Sequence, residues 1–115
     1  MDATKGEVEA FLSDFKQKMK VFDIVFSRSR GENLRTVLEL ELSDTAVRKY
    51  VSELTVEDFY KGPTKDRDDG PDLWEFGKQI KNREVYIKVT RGHLNKPVIC
   101  ISFHFPIRTI TYPFK

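Results

Sequence analysis

Cysteine is nearly absent: Cys100 is the only one among 115 residues. An intrachain disulfide is therefore impossible, and a zinc site built on a cysteine cluster is excluded. Long hydrophobic runs are missing too, and no segment approaches the length of a bilayer span. Charged residues make up 33% of the chain, which argues further against a membrane protein. The opening, Met1-Asp2-Ala3-Thr4-Lys5-Gly6-Glu7, lacks the uninterrupted apolar stretch of a secretory signal and points to the cytoplasm. No internal repeat, low-complexity tract or linker divides the chain, so residues 1–115 are expected to form one domain. The stretch from Gly62 to Asp72 holds four Asp but neither the D-x-[DN]-x-[DN]-G spacing nor the closing Glu of a calcium loop. It is expected to be a solvated, mobile loop.

What is present begins with material for a core: 39% hydrophobic residues and nine Phe. The net charge of +2 hides an asymmetry. Residues 73–115 carry eight Lys or Arg against Glu75 and Glu84, whereas residues 1–72 are net acidic. A half this basic can attract a polyanion, although a solvated surface separates charge in the same way.

Thr4 and Glu7 have the T-x-x-E spacing of a capping box. Val8, Phe11, Leu12, Phe15 and Met19 then recur at helical spacing, which predicts a helix over 5–20. Phe22, Ile24 and Phe26 alternate as in a short strand, and Arg28-Ser29-Arg30-Gly31 resembles a turn. Leu34, Val37 and Leu38 suit a helix, while Leu38, Leu40 and Leu42 suit a strand equally. Ser43 or Asp44 can cap a further helix carrying Val47, Tyr50, Val51 and Leu54. Val56 to Lys61 is expected to be an edge strand or its approach.

Three further strands are predicted at Leu73–Ile80, Glu84–Arg91 and Val98–Phe105, with connections short enough for an antiparallel sheet. Period-two alternation puts Trp74, Phe76, Val85, Ile87, Val89, Ile99, Ile101, Phe103 and Phe105 on one apolar face. The opposite face then collects Glu75, Tyr86, Lys88, Cys100, Ser102 and His104. The fold class is α+β, with N-terminal helices packed on one face of a C-terminal antiparallel sheet.

That polar face holds the groups needed to cleave RNA without a metal. The 2′-hydroxyl must lose a proton, the leaving 5′-oxygen must gain one, and a cation must steady the phosphate. Glu or His can serve as base, His or Tyr as acid, and Lys or Arg as clamp. An aromatic ring can stack an unpaired base. A strand face that merely meets water carries the same residue types, and His93, in a turn, is expected to be solvated.

Leu54-x-x-x-Asp58-Phe59-Tyr60-Lys61, Trp74, Val85-Tyr86-Ile87-Lys88-Val89 and Ile99-x-Ile101-Ser102-Phe103 resemble, in order and spacing, the MqsR family of bacterial toxins (motility quorum-sensing regulator type). The ending, Cys100-Ile101-Ser102-Phe103-His104 with Tyr112-Pro113-Phe114-Lys115, looks like a variant branch, and the opening Phe11 to Phe26 also fits it. The resemblance implies a RelE-like fold, a metal-independent messenger-RNA endoribonuclease with no cofactor, and a partner antitoxin. It implies catalytic roles for Lys61 and Tyr86. Glu75 stands where the better-known branch has Gln, and His104 where it has Lys. Both departures put better proton carriers on the same sheet face. The expected catalytic set is Lys61, Glu75, Tyr86 and His104, with Tyr60, Lys88 and Arg91 binding RNA. The alternative is a catalytically inactive module of the same fold that binds RNA or protein. A third reading is an interaction domain that pairs through an exposed strand, at Phe22–Phe26 or Val56–Lys61.

Overall fold

The computed structural model describes residues 2–27, 31–66 and 70–115. Three helices from the N-terminal half pack against a five-stranded, mostly antiparallel sheet, an α+β fold. The first helix, α1 (Lys5–Phe22), starts at the expected capping box. The Glu7 amide donates to Thr4 Oγ1 at 3.2 Å, and the Thr4 amide donates to Glu7 Oε1 at 2.8 Å. This helix runs through Phe22, so β1 (Ile24–Phe26) is shorter than the alternation of Phe22, Ile24 and Phe26 suggested. Val8, Phe11, Leu12 and Phe15 form the buried stripe of α1, and Phe11 stacks on Trp74 with ring centroids 4.3 Å apart.

The ambiguous segment is helical: α2 spans Gly31–Glu39, and α3 spans Asp44–Ser52 behind an Ser43 cap. The expected turn at Arg28-Ser29-Arg30 lies outside the described residues, and Gly31 already belongs to α2. A short 3₁₀ turn at Val56–Asp58 leads into β2 (Phe59–Thr64), so Gly62, Pro63 and Thr64 are strand rather than loop. Residues 67–69 of the acidic stretch lie outside the described residues. Then come β3 (Leu73–Ile80), β4 (Arg83–Thr90) and β5 (Val98–His104). Lys81 and Asn82, both at positive φ, close the tight hairpin between β3 and β4.

The strand order is β1-β5-β4-β3-β2, with β1 parallel to β5 and the other pairings antiparallel. Trp74, Phe76, Val85, Ile87, Val89 and Phe103 do lie in the core, as the alternation requires. The phase fails in the first half of β5. Lys88 pairs with Ser102 and Val89 with Cys100, so Ile101 is the extra residue of a β-bulge. A bulge turns the residues before it onto the other face. Val98 and Cys100 therefore enter the core, while Ile99 and Ile101, expected there, are only half-buried. Burial pushes the Cys100 thiol up to about 12.

β1 is too short to pair with all of β5, and α2 completes the edge with side chains. Asn33 Nδ2 donates to the Ile101 carbonyl and Asn33 Oδ1 accepts from the Phe103 amide, both at 2.9 Å. Thr36 Oγ1 accepts from the Phe105 amide at 3.2 Å. Buried backbone groups need partners, and here two polar side chains supply what a neighbouring strand would. This is why α2 buries Asn33 and Thr36 while Leu34 and Leu38 are exposed.

Candidate functional site

The register sets two rows of side chains on the face opposite the core. Lys61, Glu75, Lys88 and Ser102 stand side by side across β2, β3, β4 and β5. One step along, Gly77, Tyr86 and His104 form the second row. Paired residues in adjacent strands stand about 5 Å apart, so the two rows make one patch.

The C-terminal tail gives this patch a wall. After β5 it crosses the polar face, where Ile110 is buried and Tyr112 approaches Gly77. A Cβ built on Gly77 would collide with the Tyr112 hydroxyl and lie 3.0 Å from Ile110 Cδ1, so a larger residue there must push these tail side chains away. Tyr112 Oη donates to Glu84 Oε2 at 2.7 Å, and Phe114 stacks on Phe59 with centroids 5.6 Å apart. Burial, then the bond to Glu84, holds the Tyr112 phenol well above the ordinary phenol range. Sheet and tail together enclose a cavity of about 320 Å³.

Six of the seven predicted site residues line that cavity: Tyr60, Lys61, Glu75, Tyr86, Lys88 and His104. Arg91 does not. Expected to extend an RNA track, it lies instead against α1, where its guanidinium meets Asp14 Oδ2 at 2.6 Å and stands 5.7 Å from the Phe11 ring. Thr90 ends β4 one residue earlier, so Arg91 has left the regular alternation. Two residues went unassigned in the sequence: Ser102, on the cavity floor, and Arg108, on the tail. The alternation had put Ser102 on the polar face, but nothing local in the sequence reveals that the tail folds back over the sheet.

Glu75 is 7% exposed, and its Oε1 accepts a hydrogen bond from the Tyr86 hydroxyl at 2.5 Å. Tyr86 stands opposite Gly77, so this is a diagonal contact across β3 and β4. The His104 ring lies 5.2 Å from the Tyr86 ring, and its Nδ1 is 2.9 Å from the Phe105 carbonyl. A carbonyl only accepts, so Nδ1 carries a hydrogen and Nε2 is the nitrogen left for a ligand. Lys61 and Lys88 flank Glu75 in the row, yet among the described residues neither forms an ion pair with it or with another carboxylate. Lys61 Nζ instead lies 5.3 Å from the centre of the Tyr60 ring. Arg108 has no ion pair among the described residues either. Three cations against one buried carboxylate leave the cavity with a positive balance of charge, with the Glu75–Tyr86 pair and an imidazole beside it.

Among the described residues, no group of three or more His, Cys, Asp or Glu side chains is placed to hold a metal ion. Nor is any described helix long and apolar enough to cross a membrane. No protein-family model matches the chain, and no curated protein matches it at a significant level.

Proposed function

We propose that the chain is a metal-independent endoribonuclease toxin of the MqsR type, with a RelE-like fold, that cleaves messenger RNA in the cytoplasm and is held in check by an antitoxin. The observation that carries the proposal is the convergence at one cavity of buried Glu75 bonded to Tyr86, of His104, and of Lys61, Lys88 and Arg108, which have no ion pair among the described residues. Cleavage of RNA by its own 2′-hydroxyl needs a base, an acid and charge stabilisation, and the cavity offers one group or more for each.

In this mechanism Glu75, supported by the Tyr86 hydroxyl, takes the proton of the 2′-hydroxyl as that oxygen attacks phosphorus. Protonated His104 gives a proton from Nε2 to the departing 5′-oxygen. The bond from phosphorus to the 5′-oxygen breaks, leaving a 2′,3′-cyclic phosphate and a 5′-hydroxyl. Lys61, Lys88 and Arg108 stabilise the charge that gathers on the non-bridging oxygens, and Tyr60 stacks an unpaired base.

The test is incubation of purified wild-type protein with a mixed RNA in EDTA. Fragments ending in 2′,3′-cyclic phosphate are expected, together with growth arrest when the chain is expressed alone in bacteria. Intact RNA overturns the enzyme reading. The second reading, an inactive RNA- or protein-binding module of the same fold, draws on the engagement of Glu75 by Tyr86. Salt-sensitive RNA binding without products selects it.

A further inference from the structure

Ser102 is fully buried, and its Oγ has no hydrogen-bond partner among the described residues. Buried hydroxyls are normally bonded, and one left unpaired costs stability. Yet the position is held firmly. The neighbouring Ile101 carbonyl and Phe103 amide are both bonded by Asn33, and the Ser102 carbonyl accepts from the Cys100 thiol at 3.4 Å. The bulge at Ile101 sets Ser102 on the polar face, opposite Lys88 and two residues before His104, on the floor of the cavity. The fold thus puts a donor with no partner among the described residues into a site that already presents Lys61, Lys88 and Arg108.

Resting on the ribonuclease reading, we propose that Ser102 contacts the substrate, donating its hydroxyl hydrogen to a non-bridging oxygen of the scissile phosphate. A phosphodiester oxygen at neutral pH only accepts, so the hydroxyl fits it without a change of protonation. Lys88 beside it supplies the charge, and Ser102 supplies the direction that a flexible ammonium lacks. Ser102 is fully buried, so its bond to the phosphate forms only when an entering ligand displaces what covers the hydroxyl.

This role predicts opposite effects on stability and on function, as expected of a group kept for its ligand. Ser102→Ala removes the unpaired hydroxyl, and its thermal midpoint should rise by roughly 2–6 °C. The same variant should lose about 10- to 100-fold in kcat for RNA cleavage. Its affinity for inorganic phosphate, followed through the amide resonances of residues 102–104, should fall about 3- to 10-fold. Ser102→Cys, similar in size with a weaker donor, should fall between the two in both functional assays. A Ser102→Ala protein that cleaves RNA and binds phosphate like wild type overturns the proposal, as does one with a lowered midpoint and unchanged phosphate affinity. The two readings fail separately. Phosphate binding that depends on Ser102 in a protein that leaves RNA intact overturns the ribonuclease reading alone.

Discussion

The Tyr86 hydroxyl donates to Glu75 Oε1 at 2.5 Å, joining a residue of β4 to a buried carboxylate of β3. The pair is expected to act as one unit. Tyr86→Phe and Glu75→Gln should each lower kcat/KM about 100-fold, and the double variant should lose little more than either. Single-turnover cleavage in EDTA measures the cycle. Losses that multiply show two independent residues and overturn the paired base.

His104 makes a separate prediction, because its Nδ1 is committed to the Phe105 carbonyl and only Nε2 is left for a ligand. His104→Ala should lower cleavage about 100-fold or more. An imidazole acid must be protonated to donate, so the wild-type rate should fall as the pH rises. His104→Lys should retain activity and move that limb upward, since an ammonium holds its proton to higher pH than an imidazole. A limb that does not move excludes His104 as the acid.

The tail's hold on the sheet is open to the same treatment. Gly77→Ala should lift the tail, lowering the thermal midpoint and exposing the amides of residues 107–115 to faster hydrogen exchange. Tyr112 adds a pH dependence. Its folded phenol ionises at higher pH than the unfolded one, so its contribution is intact below about pH 10 and is lost as the pH climbs toward the folded value. Tyr112→Phe should flatten the alkaline loss of stability measured by urea unfolding. An unchanged slope would mean that Tyr112 is not what ties the tail down.

Asn33 carries a prediction about the fold. Asn33→Ala leaves the Ile101 carbonyl and the Phe103 amide unpaired against α2. The expected cost is about 2–4 kcal/mol, with an unchanged denaturant slope. Because those two groups flank Ser102, cleavage should fall as well, even at temperatures where the variant is folded. A cost below about 0.5 kcal/mol would show that water replaces the amide.

Much of the sheet was legible because its signal is local. Leu73–Ile80 begins and ends where the alternation of Trp74 and Phe76 against Glu75 implies, and the Thr4–Glu7 box marks the start of α1. Glu75, Tyr86, Lys88, Ser102 and His104 could be placed on one face from period two alone, since the second half of β5 keeps that period. Cys100 could not. One inserted residue, Ile101, reverses the faces before it, and a bulge has no sequence mark when the extra residue is as good a strand former as its neighbours. The segment of α2 was undecided between helix and strand for a different reason. Its Leu34 and Leu38 carry the apolar spacing, but its buried face is chosen by the open edge of β5, which demands Asn33 and Thr36.

The sequence by itself thus determined the α+β class, the β3 and β4 strands and most of the chemistry gathered on the polar face, because helix and strand periods are written in consecutive residues. Tertiary structure alone decided the rest. It diverted Arg91 to Asp14, paired Tyr86 with Glu75, left the Ser102 hydroxyl with no partner among the described residues and laid Arg108 over the cavity. Each of these outcomes depends on which distant groups arrive within about 3–4 Å, and no local period encodes that distance.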